Sequence, residues 1–284
     1  LCGSHLDTVA QAGCYDGAAG VVCALEAVRA VRDAARALGV APARPLEVVA
    51  WANEEGARFA PAMMGSGVYA GAVSLETARS ARDAEGVTVA EALAASAEGG
   101  VDAGVPTASP AAADRGAEPA QPPGAAGAPS AYLELHPEQG TALEQAGVDV
   151  AVVEGVQAQV AGDWTVTGRA SHAGTTPMDR RSDALVGASR LVQLVQEIAR
   201  AHSPGVGTVG SMTVAPGSRN SIPGAVQATV DFRHPEEAAL TAMSEAFQQE
   251  AAAASGRSGC AFEFTQQWRA ARVAFDPDLT ATLG

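Results

Sequence analysis

The sequence predicts an α/β fold, followed by a second domain of the α+β class. Residues 17–38 carry apolar side chains at helical spacing. Residues 46–52 form a short, nearly continuous apolar run, which is typical of a buried parallel strand. After residue 157 the patterns follow the order βαββαβ, which is the ferredoxin-like split βαβ arrangement. With 284 residues, the chain is long enough to form two domains that each have a hydrophobic core.

The first elements are predicted to form a strand, a helix and a second strand. The residues before Asp16 are expected to hold a strand end and a loop, and the Asp16–Gly17 pair stands where the helix begins. Asn53-Glu54-Glu55-Gly56 follows the second strand directly. Ligands of open α/β sheets bind beyond the carboxyl ends of the strands, so these polar residues are expected to lie at a site.

Residues 94–130 are rich in Ala, Gly, Pro and Ser, without helical or strand periodicity. We interpret them as a flexible insertion in the first domain, which is expected to span residues 1–156. The second domain is expected over 157–272, and residues 273–284 are expected to begin a return to the first. The chain opens with Leu1 inside a dense motif, so truncation at both ends is expected.

The second domain is predicted to contain four strands and two helices. The predicted strands lie near 162–170, 207–214, 225–233 and 260–266, and the helices at 183–201 and 236–250. Strand 225–233 alternates apolar and polar residues strictly. Arg233 is therefore expected to point away from the buried face, free to meet a ligand or solvent.

The composition excludes several classes of function. The 18 basic and 32 acidic residues give a net charge of -14, which argues against binding to nucleic acid or to an anionic membrane. All basic residues are arginine, which excludes a P-loop lysine, a pyridoxal Schiff base and a Ser/Lys dyad within this chain. No apolar run is long enough for a membrane span. The cysteines lack CxxC spacing, which favours free thiols and a cytoplasmic location: Cys2, Cys14, Cys23 and Cys260.

Six ionisable residues stand at the ends of predicted elements: His5, Asp7, Asp16, Glu54, Glu55 and His136. Each alone has a structural alternative, such as a helix cap, a solvated acidic turn or a hydrogen-bonded loop histidine. Together, imidazole and carboxylate groups suit zinc and related divalent metals. A two-metal hydrolase needs one bridging carboxylate, one that binds a single metal and a third that acts as a base. Glu54 and Glu55 can share such a site only where the strand has ended, because adjacent strand side chains point to opposite faces.

Six motifs in this order resemble the signatures of the hydantoinase/carbamoylase branch of the M20 metallopeptidase clan. They are Gly3–Thr8, Tyr15–Gly17, Asn53–Pro61, Leu133–Gly140, Ser171–Met178 and Asn220–Gly224. That branch includes N-carbamoyl-L-amino acid hydrolases, β-ureidopropionases and allantoate amidohydrolases. The resemblance implies a zinc-peptidase-like catalytic domain and an inserted ferredoxin-like domain that serves as a lid and as the dimerisation surface of a homodimer.

By the same resemblance, two divalent metal ions are implied, with Zn²⁺, Mn²⁺, Co²⁺ and Ni²⁺ all acceptable. His5, Asp16 and His136 would hold one ion, and Asp16 would bridge to a second ion bound by Glu55. Glu54 would be the general base, and Asp7 would support His5. The resemblance also implies a cis bond between Asp16 and Gly17. A further metal-binding histidine is expected beyond Gly284, because neither His202 nor His234 stands in that motif.

The resemblance assigns the substrate contacts as well. His172 would stabilise the oxyanion at the site of the neighbouring subunit and contribute to substrate binding. Gln139, Asn220 and Arg233 would hold the substrate carboxylate, for which a planar guanidinium is a bidentate match.

The expected reaction is hydrolysis of the carbamoyl C–N bond of an N-carbamoyl-L-amino acid or a β-ureido acid, with no nucleic-acid or membrane partner. Two alternatives stay open from the sequence: an allantoate amidohydrolase, and a non-catalytic binding or dimerisation fragment. The Trp51–Gly56 string favours the carbamoylase. Metal content separates the last alternative from the others, because a binding module need hold no second metal.

Overall fold

A computed structural model describes residues 1–9, 13–98 and 129–284. The chain divides into two compact units, Leu1–Asp149 and Val150–Gly284.

The first unit is built on parallel strands and one long helix. Strand β1 (Cys2–His5) leads to helix α1 (Ala18–Leu38) and then to strand β2 (Val48–Trp51). The strands pair in parallel, from Cys2 beside Val48 to His5 beside Trp51. This confirms the predicted strand–helix–strand order.

A third extended segment lies along the other edge of β1. Leu133 forms a parallel bridge with Cys2, and its main chain exchanges hydrogen bonds with Leu1 and Gly3. The carboxyl ends of parallel neighbours lie at one edge of a sheet. The residues that follow β1, β2 and this segment are therefore brought together.

Among the described residues of the first unit there are also four short helices: α2 (Met64–Tyr69), α3 (Leu75–Ser80), α4 (Val89–Glu98) and α5 (Ala142–Ala146). A capping box starts α4, since Thr88 N donates to Glu91 Oε2 at 2.8 Å and Glu91 N donates to Thr88 Oγ1 at 3.1 Å. Helix α4 continues to Glu98, so the insertion does not start at residue 94 as predicted. The cause is the alanine-rich sequence, because alanine is the strongest helix former. Of the predicted insertion, residues 99–128 lie outside the described residues.

The second unit is a five-stranded antiparallel sheet with two long helices packed against it. Its elements are β4 (Ala158–Thr167), α6 (Ala184–Ala201), β6 (Val206–Thr208), β7 (Met212–Ala215), β9 (Ala225–His234), α7 (Glu237–Arg257) and β10 (Ala261–Ala270). The strand order is β10–β4–β9–β6, and β7 also pairs with β9. The predicted βαββαβ order of elements is confirmed.

Four details of the second unit differ from the prediction. The strand expected near 162–170 is β4, which begins at Ala158 and ends at Thr167 because it pairs with β9 over that length. The strand expected near 207–214 is split into β6 and β7, because Gly210 and Ser211 interrupt the ladder. Helix α7 continues past residue 250 through an alanine-rich stretch, which favours helix. Strand β10 reaches Ala270 because it pairs with β4 along its whole length, across one register shift.

The core of the second unit lies between the sheet and the two helices. Phe247 of α7 is fully buried, and its ring meets those of Phe232, Phe262 and Phe264 edge-on at 5.8–6.2 Å between centroids. The second unit also contains smaller elements: β3 (Gly155–Val156), β5 (Ser171–His172), β8 (Ser221–Ile222), β11 (Val273–Ala274) and α8 (Pro277–Leu283). Across the described parts of the chain, no helix combines the length and the apolar character needed to cross a membrane.

Candidate metal centre

Four side chains from four segments of the first unit meet where the parallel strands end: those of His5, Asp16, Glu55 and His136. One ligand atom of each lies within 4.8 Å of all the others. His5 ends β1, Asp16 precedes α1, Glu55 follows β2, and His136 follows the segment paired with β1. The predicted strand ends thus bring together the four residues that the resemblance assigned to metal binding.

Backbone carbonyls determine which ring nitrogen carries the proton in both histidines. His5 Nδ1 lies 2.7 Å from Asp7 O, and His136 Nδ1 lies 3.0 Å from Pro137 O. A carbonyl oxygen only accepts, so each Nδ1 must be the donor. In the neutral rings, each Nε2 then keeps its lone pair for a metal. The two Nε2 atoms face each other at 3.3 Å.

Asp16 adds a buried oxygen to this arrangement. Its Oδ1 lies 3.3 Å from His136 Nε2 and 3.8 Å from His5 Nε2. Within residues 1–9, 13–98 and 129–284, no group donates a hydrogen bond to that oxygen. A buried carboxylate oxygen without a donor is costly unless a cation lies beside it. Two imidazole nitrogens and two carboxylates are ligands that zinc and manganese accept, so the residues present fit a divalent metal ion.

Gly17 brings the start of α1 against the ring of His5. A β-carbon at this position would lie 2.4 Å from His5 Nδ1, and Gly17 has φ +60°, which glycine adopts without strain. The cis bonds of the described residues all precede proline, so the cis bond expected between Asp16 and Gly17 is not found. The positive φ of Gly17 turns the chain into the helix instead.

Asp7 supports His5 through its main chain, whereas its carboxylate holds the loop after β2. That carboxylate is 3.6 Å from His5 Nδ1, too far for a hydrogen bond. It accepts from Glu54 N at 3.2 Å and from Glu55 N at 3.0 Å. Asn53 has φ 52°, which ends the strand geometry directly before these glutamates. The loop therefore presents both of them near β1.

Glu54 lies beside the four-residue cluster and has a donor of its own. Ser66 Oγ lies 2.8 Å and 3.0 Å from its two carboxylate oxygens. Burial raises the pKa of Glu54 above its ordinary value, and the Ser66 hydrogen bond partly opposes that rise. Burial and then the neighbouring Asp16 carboxylate raise the pKa of Glu55. Both environments disfavour the ionised form of these carboxyl groups, as expected at a site where a bound cation would balance their charge.

Gln139, the predicted substrate contact in the first unit, follows His136 by three residues. The neighbouring Glu138 anchors this turn, since its carboxylate accepts from Ala142 N at 2.7 Å and from Leu143 N at 2.8 Å. The turn carrying Gln139 is therefore fixed to the start of α5.

The other predicted substrate contacts lie in the second unit. His172 ends β5, which pairs with β8, and Ala173 N donates to Asn220 O at 2.9 Å. The segments carrying His172 and Asn220 are thus adjacent. Arg233 is on the exposed face of β9, as predicted, but it is not free. Its Nε and Nη2 bind Asp231 Oδ1 and Oδ2 at 3.0 and 3.3 Å, because residues two apart on a strand share one face.

Sequence reasoning missed a polar network behind the cluster, and it also missed Ser66. The network consists of Ser4, Trp51, Tyr132 and Glu134. A signal for Glu134 was available, because it stands two residues before His136 in an extended segment and so projects to the same side. Ser66 carries no such signal, since it lies in a short glycine-rich helix twelve residues after Glu54.

Comparison with known proteins identifies the family to which this chain belongs. The profile of the Peptidase family M20/M25/M40 matches residues 1–283. An N-carbamoyl-L-amino-acid amidohydrolase from Rhizobium meliloti is 38% identical over 282 residues, which are 99% of this chain and 62% of that relative. An allantoate amidohydrolase from Bacillus subtilis (strain 168) is 35% identical over 246 residues, or 84% of this chain and 53% of that relative.

A crystal structure of a hydantoinase/carbamoylase family amidase from Burkholderia vietnamiensis matches with a TM-score of 0.79 at 40% identity, covering 99% of this chain and 63% of that one. The chain thus spans less than two thirds of the length of these relatives. The family resemblance drawn from the six motifs is confirmed. This chain belongs to the M20/M25/M40 peptidase family, where its named relatives are N-carbamoyl-L-amino-acid and allantoate amidohydrolases.

Proposed function

We propose that this chain carries the metal-binding part of an amidohydrolase that cleaves the carbamoyl C–N bond of N-carbamoyl-L-amino acids or β-ureido acids. The observation that carries the proposal is the meeting of two imidazole Nε2 atoms beside a buried Asp16 oxygen to which no described residue donates, with Glu54 nearby. The name of the Rhizobium meliloti relative supports the substrate class.

His5, Asp16 and His136 would hold one divalent ion, and Asp16 would bridge to a second ion at Glu55. When bound, such ions supply Lewis-acid polarisation of a carbonyl and of a water molecule. Zinc, manganese and cobalt all suit these ligands, and the substrate panel below compares them.

Glu54 is the general base in this proposal. Its carboxylate takes a proton from the attacking water and returns it to the leaving nitrogen. Ser66 keeps the carboxylate oriented throughout. A pKa raised by burial makes the carboxylate a stronger base than an exposed glutamate. One water adds across the C–N bond, and the products are the free amino acid, carbon dioxide and ammonia.

The second unit would serve as lid and dimerisation surface of a homodimer, with residues 157–272 forming the lid and 273–284 leaving it. His172 would stabilise the oxyanion, and Asn220, Arg233 and Gln139 would bind the substrate carboxylate. The Arg233–Asp231 ion pair supports this role in one respect, because it shows that the guanidinium has the geometry for bidentate carboxylate binding. A substrate carboxylate would have to replace that of Asp231.

The four free cysteines support a cytoplasmic location.

Allantoate is the second candidate substrate, because the Bacillus subtilis relative is named for it. Allantoate is also a ureido acid, so the same metal centre and base would serve. Residues that contact the part of the substrate beyond the ureido group would separate the two activities.

The test is a substrate panel with defined metal content. The full-length protein is depleted of metal, then reconstituted with zinc, manganese or cobalt. Ammonia release is measured from N-carbamoyl-L-amino acids, β-ureidopropionate and allantoate, with Glu54→Gln as the control. Metal-dependent release from a carbamoyl amino acid that disappears in the control is the expected result. Release from allantoate alone would favour the second candidate, and no release from any of them would contradict both.

A further inference from the structure

One carboxylate outside the four-residue cluster joins the segments that supply its ligands. Glu134 Oε1 accepts from Ser4 Oγ at 2.5 Å, and Glu134 Oε2 accepts from Tyr132 OH at 2.7 Å. Both are hydrogen bonds from a hydroxyl to a carboxylate, which are short and about twice as strong as neutral ones. Each oxygen of Glu134 thus has its own donor.

Tyr132 extends this network to strand β2. Trp51 Nε1 donates to Tyr132 OH at 2.9 Å, and the two rings meet edge-on at 5.9 Å between centroids. The single hydroxyl proton of Tyr132 faces two acceptors, Glu134 Oε2 at 2.7 Å and Gly3 O at 3.2 Å, and the shorter contact to Glu134 is the stronger one. By accepting from Trp51 and donating to Glu134, Tyr132 links strand β2 to the segment that carries His136.

The network crosses all three parallel segments just before their ligands. Ser4 precedes His5, and Glu134 stands two residues before His136. Trp51 ends β2, four residues before Glu55. The main-chain ladder between β1 and the Leu133 segment sets their pairing, but it stops before His136. Beyond that point, the side-chain hydrogen bond from Ser4 to Glu134 connects the two segments.

We propose that Glu134 is a positioning residue of the metal centre. Its carboxylate ties the segment carrying His136 to the strand carrying His5, and so holds the two Nε2 atoms at the spacing that a shared ion requires. The inference rests on the proposed function, because it requires the cluster to bind a divalent ion. Outer groups that orient metal ligands typically change metal affinity by about 10–100-fold when removed.

The position of Glu134 separates this role from a purely structural one. The residue is exposed, although its carboxylate oxygens are bonded. Removing its carboxylate leaves the buried Ser4 hydroxyl without an acceptor, so some loss of stability is expected beside the loss of metal affinity. A loss of metal affinity without a loss of fold is therefore the signature of positioning.

Zinc affinity measured by competition with a chromogenic chelator provides the test, together with the visible absorption spectrum of the cobalt-loaded protein. The variants are Glu134→Ala and Glu134→Gln, in the full-length protein. Glu144→Gln is the matched control, because Glu144 is an exposed glutamate on α5 in the same unit. Thermal midpoints of the metal-free proteins are recorded alongside.

We expect Glu134→Ala to weaken zinc binding by about 10-fold or more and to change the cobalt spectrum, while the metal-free protein still unfolds cooperatively at a somewhat lower thermal midpoint. Glu134→Gln is expected to lose less, because its amide oxygen still accepts one hydroxyl. The Glu144→Gln control should match the unaltered protein in all three measurements. Unaltered zinc affinity and cobalt spectrum in Glu134→Ala would overturn the proposal.

A second variant keeps the proposal testable if Glu134→Ala does not fold. Tyr132→Phe removes one oxygen and leaves the ring in place. We expect weaker zinc binding from it, and unchanged binding would overturn the proposal. The proposed function fails separately: an unaltered protein that binds zinc but releases no ammonia contradicts the function and leaves the affinity comparison intact.

Discussion

The hydroxyl of Ser66 lies within hydrogen-bonding distance of both carboxylate oxygens of Glu54, at 2.8 and 3.0 Å. The hydroxyl proton also faces Met63 O at 3.3 Å, but the two contacts to Glu54 are shorter, so the carboxylate is held facing the serine. Burial raises the pKa of Glu54, while the hydrogen bond lowers it. The serine therefore acts on both the orientation and the basicity of the proposed base.

Glu54→Gln should lower kcat by at least about 100-fold while leaving metal content unchanged. The amide keeps the shape of the side chain but cannot accept the proton of the attacking water, and general bases typically contribute 10²–10⁴-fold. Steady-state ammonia release and elemental analysis check the two halves of this prediction. Glu55→Gln serves as the comparison, because it should lower metal content. Retention of kcat in Glu54→Gln would remove Glu54 from the role of base.

Ser66→Ala should move the acidic limb of the pH–rate profile to higher pH. Activity requires Glu54 without its proton, so the rate falls as pH drops through the pKa of Glu54. Removing a hydrogen bond that lowers this pKa lets the pKa rise further. The profile of kcat/KM between pH 4 and pH 8 shows the shift, and Ser80→Ala, at an exposed serine of α3, is the matched control. A shift to lower pH would contradict the assignment.

Added zinc should stabilise the unaltered protein and not Asp16→Asn. Ligand at about 100 times its Kd contributes roughly 2.7 kcal/mol to the free energy of unfolding, because it binds only the folded state. Asparagine at position 16 removes the buried negative charge that the cation offsets. Thermal unfolding with and without zinc measures the difference, and Asp33→Asn on the exposed side of α1 is the control. An equal shift in Asp16→Asn would show that zinc binds elsewhere.

Asp83→Asn should destabilise the protein near neutral pH and lose that effect in acid. Burial alone would raise the pKa of Asp83, but the Val87 amide and the Arg58 guanidinium hold it below its ordinary value of 3.8. A lowered pKa means that the folded state stabilises the charged form, so the contribution is present above about pH 3.8 and is lost as pH falls through the folded pKa. Urea unfolding of both proteins between pH 2 and pH 7 tests this. A difference that persists at pH 2 would show a cause other than charge.

Phe247→Ala should cost about 3–5 kcal/mol of unfolding free energy. The side chain is fully buried among three other phenylalanine rings, and its removal leaves a cavity between α7 and the sheet. Phe275→Ala is the control, because that ring is 44% exposed. Urea unfolding followed by tryptophan fluorescence gives both values, and equal losses would show that the aromatic cluster is not a core.

The helical spacing in residues 17–38 predicted α1 to within one residue, because periodicity depends on local backbone geometry alone. The burial of that helix was less predictable. Val21 and Ala24 are buried, whereas Leu25 is 51% exposed. Which part of an apolar face is covered depends on what packs against it, and no local pattern records that.

The cluster residues were predictable because their chemistry and their positions at strand ends agree. The role of the Asp7 carboxylate was not, because its bonds to the amides of Glu54 and Glu55 depend on the positive φ of Asn53. The Arg233–Asp231 pair could have been predicted, since strict alternation places residues two apart on the same face. Its omission came from considering Arg233 without its neighbours.

The contact between Gly17 and the His5 ring bears on how an ion would enter the proposed metal centre. With Gly17 against the imidazole and the Asp7 carbonyl bonded to Nδ1, the ring is already locked in the orientation that a metal needs. The ring would then need no reorientation when an ion binds at the proposed centre. Preparations reconstituted with different divalent ions should therefore share one fold and differ in activity.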